Sequence, residues 1–229
     1  MNESYKNLQL LKKKWLISAI KVKVTDIEFS VLSFSEYFDL NAPDRRETAH
    51  GKVINRDCWK YLIETNSIPN SNTLARIFTK LPELKPYYFH AFWEAIHPKD
   101  LNSYELLKII CQLPYNVRSK AGIDIIQLRS KTSVFKFPSP KKVNDIAQIL
   151  NLDAVTALIC LMRHELKNFP FPDASVFHIL EEITFNCSSV VLEDELFNQV
   201  KTDIFNFIDK YISDEDFYCL FRDISLWKL

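Results

Sequence analysis

Glycine is almost missing from this chain, with two residues in 229 against an average share of about 7%. Positive-φ turns, tight β-hairpins and phosphate-cradling loops lean on glycine. A glycine-rich nucleotide loop is therefore excluded, and a hairpin-rich β protein is disfavoured. Paired cysteines are missing too. Cys58, Cys111, Cys160, Cys187 and Cys219 are scattered without a CxxC. That is the pattern of reduced, buried thiols in a cytoplasmic protein rather than of a disulfide framework or a zinc site. No run approaches the roughly 18 apolar residues of a membrane span. The opening MNESYKNLQLLKKKWLISAIKVKV sets its lysines inside the apolar stretch, unlike a signal peptide. Internal repeats and low-complexity tracts are absent.

What is present is a large apolar fraction, 47%, enough for a substantial core in one large domain or two small ones. The formal charge is zero but unevenly placed. Residues 1–170 carry 25 Lys+Arg against 17 Asp+Glu, whereas 171–229 carry 4 against 12. A basic body could meet nucleic acid and an acidic tail a basic partner; solvated helix faces explain the same charges without any partner.

Helical spacing dominates. Leu8, Leu11 and Trp15 mark an amphipathic helix over Ser4–Ile20, with Lys12, Lys13 and Lys14 interposed. Val22 and Val24 alternate like a short strand, while Ile27, Val31, Phe34 and Phe38 step like a helix capped at Thr25. Asn41–Gly51 reads as a loop or irregular linker. His97-Pro98 marks a boundary, because a residue before proline is pushed out of the helical region, giving an N-terminal part, 1–98, and a C-terminal part, 99–229. Beyond it, helices are predicted over Leu101–Leu113 and Val117–Leu128. Arg129–Pro140 is a basic connector, and a helix follows from a Ser139 cap and Pro140 to Leu150. Asn151 caps LDAVTALICLMRHEL, which is apolar on nearly every side and so predicts a central core helix. Asp173 caps a helix through Phe185, and Glu193–Tyr211 and Asp214–Leu226 follow, the last with Phe217, Leu220 and Phe221 on its buried face. The fold class is all-α and multi-helical, a helix-turn-helix-like part followed by a helical bundle.

The most specific order of residues lies in Trp59–Pro98. Pro69, then polar Asn70 to Thr73, then Leu74, Ile77 and Leu81 describe a proline stop, a cap and a short packing helix. PNSNTLARIFTKL, Pro69–Leu81, resembles the segment after the recognition helix of repressor-type helix-turn-helix proteins. By that resemblance the helix around Asn55–Ile63 takes the place of the reader of DNA. It implies base contacts from Asn55, Arg56 and Lys60, with Arg45, Arg46 and Lys52 upstream for phosphates. Arginine suits guanine edges, asparagine adenine and lysine phosphate. Two departures stand out: Thr65 replaces the family's usual small residue four before the proline, and Asn41–Gly51 is not an amphipathic helix. A wider combination, Trp59, Tyr61, Pro69, Thr73-Leu74, Leu81-Pro82 and Phe89-His90-Ala91-Phe92-Trp93 followed by LDAVTALICLMRHEL, looks like a group of uncharacterised bacterial helical proteins. For this stretch core packing, DNA contact and a protein-binding surface all stay open.

Catalytic constellations are poorly represented. His164-Glu165 lacks the second histidine of a zinc helix, since residue 168 is Asn. His90 and His97 are seven apart with no cysteine beside them. Glu193-Asp194-Glu195 and Asp214-Glu215-Asp216 fall at predicted helix N-termini, where the dipole favours carboxylates. The expectation is a regulatory or accessory cytoplasmic protein without an enzymatic site, metal or cofactor. Its expected partners are double-stranded DNA, and a protein or a second copy through the acidic C-terminal part. The rival expectation is a non-enzymatic helical interaction module or oligomerisation subunit that never touches DNA.

Overall fold

The computed structural model describes residues 3–26, 28–39, 47–48, 51–52, 56–123, 137–168 and 174–211. The fold is all-α. Among the described residues the only β pairing is two residues long, β1 (Glu47–Thr48) against β2 (Gly51–Lys52), antiparallel with Glu47 opposite Lys52. It falls where the sequence predicts a loop. The chain divides into two compact units, one from the N-terminus to Phe89 plus Glu195–Val200, the other His90–Asp194 plus Lys201–Leu229.

In the first unit, α1 (Glu3–Lys23) buries Leu8, Leu11, Trp15, Leu16, Ala19 and Ile20 along one side. Val22 lies within this helix, so no strand forms there. Because α1 runs on to Lys23, Thr25 and Asp26 are used in the turn that follows it, and α2 (Val31–Asp39) starts later than predicted. Its cap is Ser30 rather than Thr25, with Ser30 Oγ accepting from the Ser33 N–H at 3.2 Å. Next come α3 (Arg56–Glu64), α4 (Ser71–Lys80) and α5 (Leu84–Tyr88). The cap read at the start of α4 is present: Asn70 Oδ1 accepts from the Thr73 N–H at 2.8 Å. A short 3-10 turn, Asn198–Val200, packs on α1, where Ser18 Oγ donates to Gln199 Oε1 at 2.5 Å and the Trp15 ring lies 5.6 Å from Phe197.

Holding α2, α3 and α4 together is one carboxylate. Asp39 Oδ2 accepts from the Trp59 indole N–H at 2.8 Å and from Ser35 Oγ at 3.1 Å, while Oδ1 takes the Arg76 guanidinium at 2.6 Å. Around it stack Phe38 and Trp59, ring centroids 5.0 Å apart, with Phe34 edge-on to Trp59. Asp39 and Trp59 are both buried.

The second unit is built on α10 (Leu152–Asn168), buried continuously from Ala154 to Met162. Around it pack α6 (Phe92–Ala95), α7 (Ser103–Gln112), α8 (Tyr115–Lys120), α9 (Pro140–Ala147) and α11 (Ala174–Val191). The central core helix predicted from its all-round apolarity is thus found. Asn151 caps it, Oδ1 accepting from the Ala154 N–H at 2.9 Å, and Asn102 with Glu105 forms a capping box on α7.

Several predicted ends shift. α8 begins at Tyr115 and stops at Lys120, because Gly122 takes a positive φ of 75° and turns the chain out of the helix; residues 124–128 lie outside the described residues. α9 starts at Pro140 as predicted but ends at Ala147 rather than Leu150, and Leu150 takes φ 49°. Helix α11 continues past Phe185 to Val191; its predicted cap Asp173 is outside the described residues, as is the predicted Asp214–Leu226 helix. The helix predicted from Glu193 begins only at Lys201, as α12 (Lys201–Tyr211), because Glu195–Val200 turns back onto α1. Glu193 and Glu195 therefore stand in turns and pair with Lys201 and Lys23, so lysines rather than a helix dipole compensate them.

Asp39→Ala is expected to cost about 3 kcal/mol, since it leaves the Arg76 charge and the Trp59 N–H without their acceptor. Asp39→Asn, which keeps an acceptor, should cost less. Urea unfolding midpoints of the two variants check the order.

Candidate binding surfaces on α3 and α11

Two constraints aim α3. Trp59 and Leu62 are buried, tying one side of the helix into the core. At its far end the Lys13 ammonium donates to the Tyr61 carbonyl at 3.2 Å and to the Thr65 carbonyl. A cation there satisfies carbonyls that have no partner within the helix and complements the negative end of its dipole. Burial pushes the Lys13 pKa down. The Thr65 hydroxyl reinforces this end, donating to Tyr61 O at 2.8 Å and accepting from the Ser67 N–H at 3.1 Å. That closes the turn at the position where the resemblance calls for a small residue.

What α3 then turns outward is Lys60, Tyr61 and Glu64, all exposed. Of the residues assigned by resemblance to DNA contact, Lys60 is exposed at mid-helix, Arg56 is the first residue of α3 and Lys52 sits in β2. Asn55, Arg45 and Arg46 lie outside the described residues. The connection from α2 to α3 occupies 40–55, much longer than the turn of about 3–4 residues of a helix-turn-helix; that from α3 to α4 occupies 65–70. Much of the basic surplus is engaged inside the first unit. Arg76 is paired with Asp39 and Lys23 with Glu195, while Lys12 lies 4.3 Å from the Tyr88 ring centroid and Lys21 4.2 Å from that of Phe29.

The second surface is an open groove of about 350 Å3 in the second unit, between α9 and α11. Its apolar walls are Ala147, Leu150, Ile183 and Val190, and its polar rim is Asn144, Gln148 and Asn186. Cys187 closes the floor, its Sγ donating to Ala147 O at 3.4 Å, and burial pushes this thiol up to about 11. Leu150 is 53% exposed and Val190 54%. Ile179, also exposed, lies on the same helical stripe as Ile183, Asn186 and Val190. In sequence the groove shows only as the spacing of Ile179, Ile183 and Val190, which a helix ending at Phe185 and another running through Leu150 conceal.

The histidines serve local geometry. His90 Nε2 lies 3.0 Å from Asp153 Oδ1, and His90 Nδ1 accepts from the Phe92 N–H at 3.0 Å. His97 Nδ1 accepts from the Lys99 N–H at 3.0 Å, and burial together with Arg163 and Lys99 lowers its pKa. His164 and Glu165 are both buried at the end of α10; burial lowers the first pKa and raises the second. No group of three or more His, Cys, Asp or Glu able to hold a metal ion occurs among the described residues, and no helix there is long and apolar enough to cross a membrane. Comparison with protein-family models, with curated proteins and with solved structures returns no match.

Glu165 gives a pH dependence of known sign. The unfolded chain loses this proton near the ordinary carboxylate value and the folded protein only at higher pH. Its contribution to stability therefore falls as pH rises through that window. Glu165→Gln is expected to raise the urea midpoint at pH 7, with the gain shrinking toward pH 4.

Proposed function

We propose that this chain is a non-enzymatic helical interaction protein that receives the apolar side of an amphipathic helix in the groove between α9 and α11. The observation that carries the reading is the exposure of Leu150 and Val190 in one concave, amide-rimmed groove, with exposed Ile179 further along the same stripe of α11. Contiguous exposed apolar surface rimmed by polar groups is the usual sign of a protein contact. A helix with anchors three, four and seven residues apart fits such a groove, its polar flanks meeting the amides. Val190→Asp is expected to leave the far-UV CD spectrum and melting temperature unchanged and to abolish a homo-oligomer or stoichiometric complex seen with the wild-type chain by light scattering. A wild-type protein that purifies as a monomer without a partner would count against this reading.

Double-stranded DNA is a second reading, favoured by one observation: α3 is held firmly at both ends of its buried side and turns Lys60 outward. Arg56 at its start, with Lys52, Arg45, Arg46 and Asn55 preceding it, would supply further contacts. On this reading a labelled duplex binds with an affinity that falls steeply between about 50 and 200 mM salt. Replacing both Arg56 and Lys60 by Ala should weaken it and lower the salt slope by about 2. Absence of binding at about 50 mM salt removes DNA from consideration.

A further inference from the structure

We infer that the helix received by the groove between α9 and α11 is α11 of a second copy of this chain, in a parallel two-fold dimer. The inference rests on the reading of that groove as a helix-docking surface, and it names the occupant.

The occupant must present an apolar stripe at helical spacing, and α11 itself presents one. Ile179, Ile183, Asn186 and Val190 follow one another at four, three and four residues, the spacing of a coiled-coil seam. Ile179, Asn186 and Val190 are exposed and Ile183 is half-buried. Ile183, Asn186 and Val190 also form one wall of the groove. The same side chains are thus both a ridge able to fill such a groove and part of the groove to be filled, which is the self-complementarity an isologous interface requires. With the two-fold axis along the helices, α11 of each copy lies between α9 and α11 of the other. Ile183 then meets Ile183 and Val190 meets Val190, and β-branched residues at this position of the repeat favour two parallel strands. Asn186 suits the same arrangement. An amide both donates and accepts, so it can pair with its symmetry mate or with the Asn144 and Gln148 rim of the other copy.

Charge selects a second copy over a peptide of one sign. At about 100° per residue, Cys187, which touches α9, lies about 80° to one side of Ile179 and Glu182 about 60° to the other. Glu182 therefore flanks the stripe on the side turned away from its own α9, the side that meets α9 of the second copy. Lys141 and Lys142 stand in the first turn of α9, just before the rim residue Asn144. All three charged residues are exposed, and none is in an ion pair among the described residues. The two-fold brings Glu182 of each copy to Lys141 and Lys142 of the other, so both signs find partners at once. An acidic peptide would leave Glu182 unanswered, and a basic one the lysines.

The test uses the full chain throughout. In sedimentation velocity from about 1 to 100 μM, wild type should run as a dimer and Val190→Asp as a folded monomer. Glu182→Lys, and separately Lys141→Glu/Lys142→Glu, should each weaken the dimer about tenfold, the size expected for two symmetry-related rim contacts turned from attraction to repulsion. An equimolar mixture of these two charge variants, labelled with donor and acceptor fluorophores, should form mixed dimers at wild-type affinity. In the mixture each new lysine meets the new glutamates, and each original glutamate the original lysines. Salt at about 0.5 M should shrink these differences. A wild-type monomer at about 100 μM would overturn the inference while leaving the groove to an outside helix. A dimer that Val190→Asp dissociates, but whose charge variants show no preference for each other, would overturn the parallel arrangement and the inference with it. A dimer that Val190→Asp leaves intact would overturn both the inference and the docking reading.

Discussion

Helix ends set the terms of this fold. Every helix finishes with carbonyls that its own backbone cannot satisfy, and the common remedy, glycine in the left-handed region, is used only after α8, at Gly122, among the described residues. Elsewhere several ends are closed by side chains brought from other helices. Lys13 of α1 closes α3, taking the Tyr61 and Thr65 carbonyls. Arg163 of α10 closes α6 and the turn beyond it, donating to Ala95 O at 2.6 Å, His97 O at 2.9 Å and Lys99 O at 2.8 Å. Lys120 of α8 and Cys187 of α11 reach Asp145 O and Ala147 O at the end of α9. The cations that look like surface charge in the sequence thus serve as internal staples.

The same constraint explains how far the sequence could be read. The starts of α4 and α10 were legible because asparagine caps act on their own next turn: Asn70 and Asn151 each accept an N–H three residues on; Asn102 does the same for α7, whose predicted start at Leu101 lies ahead of that cap. Packing faces were legible too, since Trp15, Ile77 and the run through α10 follow helical spacing. The stop of α9 was not, because what closes it comes from Lys120 and Cys187, tens of positions away. Local spacing therefore continues α9 through Leu150, and the groove is lost from view with it. Glu193-Asp194-Glu195 misled in the same way: a local rule about dipoles stood in for lysines that only the fold brings near.

Of the two surfaces, α3 illustrates what a motif resemblance can and cannot carry. The resemblance predicted a proline stop, a polar cap and a packing helix, and these depend on local chemistry. Its recognition role depends on a helix placed just before α3, and residues 40–55 separate α3 from α2. The groove has the opposite character, with no motif behind it and a definite geometry of exposed apolar side chains between α9 and α11.

The segment Glu195–Val200 has a consequence for how the protein is made. Trp15 waits for Phe197, Ser18 for Gln199 across 181 positions and Lys23 for Glu195 across 172. At a synthesis rate of about 5–20 residues per second, roughly 5–20 s separate the emergence of Phe89 from that of the residues that finish the first unit. A helical protein would ordinarily be expected to fold quickly from contacts close in sequence. Here the first unit cannot be complete until Glu195–Val200 has been made, so the unit nearest the start of the chain is among the last parts to be finished.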